Sequence, residues 1–598
     1  MIDPTIGYDR PMARRDPHSY NDDTQAETTR LTLDAHVDFA TRTLTATATL
    51  HFRAPAEGAL DLDTRDLTIE AITDDAGRAV PWTLDTADAA LGSRLALTLP
   101  ARTSTVTIRY RTAPTASALQ WLEPAQTSGG VQPFLFSQCQ AIHARAVVPV
   151  QDTPRLRITY AASLTVPAAL TVVMAAAHRG RTVDEAAGTA TERWEMPQPI
   201  PPYLLAFAVG DLASRDLSPR CRVWAEPAMV EAAAWEFAEV ESMITAAEAL
   251  FGPYDWERFD LLTMPPSFPY GGMENPRLTF LTPTVVVGDR SLVAVVAHEL
   301  AHSWTGNLVT NANAEHFWLN EGFTVYAERR IVEALEGADV ASLHAALGRR
   351  ELDESLARFA SRPELTRLRL DLTGVDPDDA YSLVPYEKGY FFLCAIEAVV
   401  GRAAFDTWLR SYLTTFRFGA ITTDDFLAHL EAALPGALAK VDAPRWIDGD
   451  GIPASAVAPA SARLDAVERW TGEVPTVEAT AGWTATEWQL YLELVPRPAT
   501  LATCRALDER FALTAGKNHD VLVTWLGIAL GAGDASVLDR VDDVLTTVGR
   551  MKYLRPLYTA LVAEPRTRPR AHAVFARAGA SYHPIARAMV EGLLRDAA

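Results

Sequence analysis

The spacing of apolar residues changes once along the chain, and that change limits the folds open to it. After a polar lead, Leu31, Leu33, Ala35, Val37 and Phe39 alternate with polar neighbours, and Leu44, Ala46, Ala48, Leu50 and Phe52 repeat the pattern. Period two marks strands with one buried face. Alternation returns at Leu95, Leu97 and Leu99 and again at Val106, Ile108 and Tyr110, with Pro- and Gly-containing breaks between, so an antiparallel sheet domain is expected over residues 1–211. From Pro227 apolar residues recur every three or four positions, as in Met229 to Leu250 and Leu292 to Trp304, which predicts helices. Gly449, Gly451, Pro453 and Pro459 give residues 448–463 the composition of a linker between a unit at 212–447 and a tail at 464–598. In that tail Val537, Leu538, Val541, Val544, Leu545 and Val548 trace one helical face, and Ile585, Ala586, Met589, Val590, Leu593 and Leu594 trace another. The expected class is multidomain α+β, ending in an all-helical domain.

A length of 598 residues gives each of these units room for its own core. With 54 Lys and Arg against 76 Asp and Glu, the net charge of −22 argues against a nucleic-acid partner, because phosphate backbones would meet a repulsive field. No apolar run reaches the ~20 residues that span a bilayer. Charges and prolines between Met1 and Asp22, including Arg14 and Arg15, stand where a signal peptide needs its apolar core. Cys139, Cys221, Cys394 and Cys504 are dispersed and too few to staple such a chain. A cytoplasmic protein with free thiols is expected.

The sharpest chemical signal is His298-Glu299-Leu300-Ala301-His302, in a run from Val293 to Trp304 free of Pro and Gly. Helical geometry places the two histidines one turn apart on one face, so both imidazoles reach a single ion. Glu299 points beside that face, where a carboxylate acts as general base toward a water on the ion without ligating it. Random placement of the chain's 13 His and 76 acidic residues gives at most ~0.04 such pentapeptides. Glu321, separated from His302 by 18 intervening residues in Trp318-Leu319-Asn320-Glu321-Gly322-Phe323-Thr324, can supply a third ligand and leave a fourth position open. One Zn²⁺ is expected.

Just upstream, Tyr270-Gly271-Gly272-Met273-Glu274-Asn275 pairs two glycines with a carboxylate. Such a pair lets an extended peptide lie against the backbone, and it equally fits an ordinary turn. Glu274 has the charge to receive an ammonium group.

Together, the Gly-Gly-Met-Glu-Asn segment, the His-Glu-x-x-His pentapeptide and the spaced glutamate resemble the gluzincin aminopeptidases. Phe136-Ser137-Gln138-Cys139-Gln140-Ala141, Val384-Pro385-Tyr386-Glu387-Lys388-Gly389 and Gly549-Arg550-Met551-Lys552 are similar to segments of the leukotriene A4 hydrolase and aminopeptidase B branch. The resemblance runs from about residue 30 to the end. It implies a saddle-like β domain, a thermolysin-like zinc domain and a helical carboxy-terminal domain around a cleft. It also implies His298, His302 and Glu321 as zinc ligands, Glu299 as general base, Glu274 as anchor of the substrate amine and Tyr386 as proton-donating tyrosine. Gln140 matches a glutamine near the substrate amino end, Arg550 and Lys552 match cations that hold a substrate carboxylate, and Asp378 and Tyr381 match residues of epoxide opening and the substrate pocket. Read without the resemblance, Tyr381 and Tyr386 are core-edge aromatics, Arg550 and Lys552 are cations near a helix end, and Asp378 is part of an acidic turn.

The activity implied is removal of N-terminal residues from short peptides by a monomer, with Tyr270, Gly271, Gly272 and Met273 along the substrate. Hydrolysis of a fatty-acid epoxide, endopeptidase action and a non-catalytic binding scaffold are the alternatives.

Overall fold

A computed structural model describes residues 16–292 and 294–596; the lead through Arg15, Val293 and the last two residues lie outside the described residues. The alternating segments form an eight-stranded sheet in the order Ala177–Asp184, Thr189–Ile200, Ile158–Pro167, Thr28–Asp38, Thr43–Thr64, Ser93–Arg111 and Thr68–Asp74, with Trp82–Leu84 also on Ser93–Arg111. Leu31, Leu33, Ala35 and Val37 face the core and pair with Leu50, Ala48, Ala46 and Leu44. The sheet departs from the antiparallel expectation at one place, since Thr28–Asp38 runs parallel to Ile158–Pro167. The chain leaves the sheet after Arg111 and returns only at Ile158, a crossover long enough for parallel pairing. Nor is there a break between Leu99 and Val106: one strand runs through Pro100. Its pairing with Thr43–Thr64 slips between His51 and Gly58, and such a bulge tolerates the missing proline N–H.

A four-stranded sheet includes Phe134–Ser137, which delivers Gln138 and Gln140 to the next domain. There, a five-stranded sheet ends at the short edge strand Gly272–Met273, paired antiparallel with Leu278–Leu281. The expected helix at Met229 to Leu250 is two helices, Val230–Glu236 and Val240–Phe251. Phe237 is buried at the break, and the Glu236 carboxylate accepts the N–H groups of Gly288 and Arg290.

Three helices carry the chemistry-bearing motifs: α1 (Ala294–Ala301), α2 (Trp318–Glu336) and α3 (Val384–Val400). A Cβ on Gly322 of α2 would lie 2.7 Å from the Cα of Gly389 on α3, and a Cβ on Gly389 equally close to Gly322. The two helices therefore cross backbone against backbone. Beside the crossing, buried Arg329 of α2 holds Glu387 of α3 through two hydrogen bonds of 2.9 and 2.7 Å.

Residues 448–461 are irregular, as their composition predicts, and they are pinned. Lys388 Nζ donates to Gly449 O at 2.8 Å, Arg367 pairs with Asp450 at 2.7 Å and Gly451 N donates to Thr366 Oγ1 at 2.8 Å. Helices follow from Ala462–Glu468 to Pro584–Asp596 around a core that includes Trp525, Leu526, Leu557 and Tyr558, joined by Leu343 of the preceding domain. The first and last domains also touch: Phe136 and His583 have ring centroids 6.1 Å apart. No described helix is long and apolar enough to cross a membrane. Cys139, Cys221, Cys394 and Cys504 are free.

The crossing of α2 and α3 makes a prediction of sign. Alanine normally favours a helix over glycine by ~1 kcal/mol, yet Gly322→Ala or Gly389→Ala should destabilise the protein by about 1–3 kcal/mol in denaturant titrations. Gly527→Ala, in the helix His519–Gly531 with no neighbouring atom within 4 Å of the new Cβ, should instead stabilise it.

Candidate active site

α1 sets His298 and His302 one turn apart, with their Nε2 atoms separated by 3.2 Å. The first turn of α2, where the helix dipole favours a carboxylate, brings Glu321 Oε2 to 3.5 Å from each of them. Each ring is oriented through its other nitrogen. His298 Nδ1 donates to Glu328 Oε2 at 3.0 Å, and His302 Nδ1 donates to Thr305 O at 3.1 Å. Both Nε2 atoms are thereby turned to one point; burial, holding His302 down to about 4, keeps that imidazole neutral, whereas for His298 burial is outweighed by Glu321 and Glu328, which raise it well above the usual imidazole range. Glu321 Oε2 is buried without a hydrogen-bond partner. Two imidazole nitrogens and an unsatisfied carboxylate oxygen are the donor set of a zinc site, so the residues fit that ion. Gly306 belongs to the same construction: its φ is +106°, and a Cβ there would lie 2.4 Å from Asn320 Oδ1 and 2.8 Å from His302 Nδ1.

The glycine pair lies against two charged side chains. A Cβ on Gly272 would stand 2.2 Å from Glu299 Oε1, and one on Gly271 would stand 2.6 Å from Arg550 Nη2. Burial pushes Glu299 up to about 8, with His298 opposing and Glu321 and Glu328 adding to the rise. Glu274 is buried, its carboxylate accepts from Gln140 Nε2 at 3.2 Å, and its carbonyl accepts from Asn307 Nδ2 at 2.7 Å. Burial and then the nearby Glu321 and Glu299 raise it well above the usual carboxylate range. One ligand-type atom each of Glu274, Glu299 and His302 lies within 4.8 Å of the others, so the expected anchor adjoins the expected base. Gln138 Nε2 donates to Met273 Sδ at 3.0 Å, and Tyr270 packs edge-on against Phe268 with centroids 6.0 Å apart.

Tyr386 enters from the first turn of α3, whose Pro385 occupies a position needing no intrahelical N–H donor. Its ring stacks on His298 at 6.2 Å and 17°, and its hydroxyl is 3.3 Å from that of Tyr381. Burial raises Tyr386 well above the usual phenol range, which keeps it a donor. Tyr381 is 46% exposed, although its hydroxyl meets that of Tyr386. Asp378 Oδ2 contacts His143 Nε2 at 3.0 Å, a pairing between the β domain and the turn before α3.

The two cations of the last domain separate. Arg550, 7% exposed, donates to Tyr553 Oη at 2.9 Å and Thr284 Oγ1 at 3.4 Å and forms no ion pair among the described residues. Lys552 Nζ is paired with Asp520 at 3.1 Å and Glu351 at 3.8 Å. The structure thus brings Arg550, and not Lys552, to the glycine pair. Sequence reasoning missed Glu328, although it follows Glu321 by seven residues and so repeats on the same face of α2. It also missed Asn307, for which spacing carried no signal.

Comparison with known proteins agrees with this geometry. Residues 16–204 match the Peptidase M1 N-terminal domain, 235–446 the Peptidase family M1 domain and 483–594 the Leukotriene A4 hydrolase C-terminal domain. The chain is 37% identical over 604 residues to a leukotriene A-4 hydrolase of Xenopus laevis, covering 96% of this chain and 98% of that one. It is 35% identical over 611 residues to leucine aminopeptidase 2 of Sclerotinia sclerotiorum, covering 97% and 100%. The structure of yeast LTA4 hydrolase in complex with bestatin superposes with a TM-score of 0.91 at 32% identity over the whole of both chains. Three domains in this order, built around this donor set, make the chain a member of peptidase family M1: a zinc metallopeptidase of the leukotriene A4 hydrolase branch.

Proposed function

We propose that the protein is an aminopeptidase that removes N-terminal residues from short peptides, with Glu274 receiving the substrate ammonium. The carrying observation is the Glu274 carboxylate itself, buried beside Glu299 with an amide as its hydrogen-bond partner. A buried anion of this kind is stabilised by a cation brought by the ligand, and a free α-ammonium is such a cation. Internal peptide bonds have none, so the anchor selects chain ends. Gln140 is proposed to share the ammonium.

His298, His302 and Glu321 would hold one zinc per chain, with Glu328 and the Thr305 carbonyl fixing the rings. The ion, when bound, supplies Lewis acidity that polarises a carbonyl and makes a water acidic enough to lose its proton near neutral pH. Glu299 takes that proton and returns it to the leaving amine. The Tyr386 hydroxyl donates to the developing oxyanion, a contribution of about 2.7–4 kcal/mol for one well-placed donor. Arg550, a buried guanidinium outside any ion pair among the described residues, is proposed to receive a substrate carboxylate across Gly271. Lys552, whose charge meets Asp520 and Glu351, would then act on that carboxylate only through Arg550.

Asp378 and Tyr381 are proposed to line the substrate pocket, with Tyr270, Gly272 and Met273 along the peptide. The domain limits proposed from the sequence are 211, 447 and 463. Action as a monomer is part of this proposal, and four free thiols support a reducing, cytoplasmic setting. A second reading, hydrolysis of a fatty-acid epoxide, is favoured by the Tyr381 hydroxyl beside that of Tyr386 and by the relative named leukotriene A-4 hydrolase.

Three outcomes test these readings. Glu274→Ala should keep its zinc by elemental analysis and lose about 2–5 kcal/mol of transition-state binding, read as kcat/KM on aminoacyl amides; unchanged turnover removes the exopeptidase argument. Tyr386→Phe should lower kcat about 10²–10³-fold with KM little changed. Incubation with a fatty-acid epoxide, with and without chelator, separates the second reading: a chelator-sensitive diol supports it, and recovery of only the spontaneous products rejects it.

A further inference from the structure

Arg157 leads into the strand Ile158–Pro167 of the first domain, yet four of the five acceptors of its guanidinium lie in the second. Nη1 donates to Pro199 O at 3.1 Å and Asn307 O at 2.8 Å. Nη2 donates to Leu308 O at 3.2 Å, Thr310 Oγ1 at 2.7 Å and Gly419 O at 3.0 Å. All five acceptors are uncharged, and none belongs to the cleft. A cation held without a counter-ion among the described residues is a poor device for simply gluing two domains, because apolar residues of similar volume do that at lower desolvation cost. What a planar fork does better is fix several carbonyls at once.

Two of those carbonyls, Asn307 O and Leu308 O, belong to the loop after α1. Within that loop, Asn307 N donates to His302 O at 3.0 Å, and Asn307 Nδ2 donates to Glu274 O at 2.7 Å. Asn307 therefore hydrogen-bonds Arg157, the backbone of His302 and the backbone of Glu274. Gly306 N donating to Val309 O at 2.8 Å, and Thr310 Oγ1 donating to Gly306 O, close the loop around it.

We infer that Arg157 is a positioning residue for the amine anchor: the β domain, through Arg157 and Asn307, sets where Glu274 stands relative to His302. This rests on the proposed role of Glu274. It assigns the first domain a part in measuring the distance between the substrate's amino end and the scissile bond.

The test uses the full zinc-loaded chain and two probes, an amino-acid hydroxamate and its des-amino counterpart, which share the metal-directed group and differ in the ammonium. Arg157→Met and Asn307→Ala should each weaken the amine-bearing hydroxamate about tenfold and leave the des-amino one within about twofold, with zinc content unchanged. KM for an aminoacyl amide should rise by a similar factor with kcat nearly constant, and the two substitutions combined should be less than additive because they act on one path. Arg157→Lys, which keeps the charge and reaches fewer carbonyls, should fall between, and it carries the test with Asn307→Ala if Arg157→Met fails to fold. Equal losses on both probes, or full additivity, overturn the inference in favour of a structural role. Glu274→Gln in the same assay separates the two claims. If it does not distinguish the probes, the anchor itself is wrong; if it does and the Arg157 and Asn307 variants do not, only the positioning claim falls.

Discussion

Four carboxylates, Glu274, Glu299, Glu321 and Glu328, gather around two imidazoles, and the first three are almost fully buried. Such a concentration of like charge is tolerable only when cations or protons share it. Most of the local architecture follows from that need. The imidazoles are turned so that each directs its Nε2 to the centre, and a guanidinium from the last domain reaches the glycine edge. The raised position of Glu299 and Glu274 reflects the same repulsion added to burial. A divalent ion is one cation that fits this arrangement and the proposed substrate ammonium is another, so on that proposal zinc chemistry and chain-end selection share one electrostatic origin.

Close approach is the second requirement, and glycine meets it at the points where charge and backbone touch. Gly271 and Gly272 admit Arg550 and Glu299, Gly306 admits His302 and Asn320, and Gly322 with Gly389 let α2 and α3 meet. That last contact brings the first turn of α3, with Tyr386, over His298 on the neighbouring helix. Interior packing at native density transmits such placements over several residues, so helix crossings far from any substrate still decide catalytic distances.

Much of this was legible before any coordinates. Residues four apart on a helix must share a face, so His298 and His302 pointed to a common target, and Glu321 was singled out as the third ligand such a site still requires. The all-helical tail was legible from its own apolar spacing. What spacing does not encode is partner choice over long separations. Nothing local distinguishes Arg550, which meets Gly271, from Lys552, which meets Asp520. Nothing local reveals that Arg157 and Asn307 will touch, or that Thr28–Asp38 will accept a parallel neighbour 130 positions later at Ile158. Pro100 misled because proline reads as a break, whereas a bulge absorbed it.

The edge strand Gly272–Met273 has a partner on one side only, and its first residue shows the cleft no side chain at all. An incoming polypeptide aligned there meets amide and carbonyl groups that every amino acid possesses alike. Recognition along that rim is consequently blind to residue identity. On the proposed peptide reading, discrimination falls instead to side chains beside that rim, and one of them, Arg550, is contributed by the last domain.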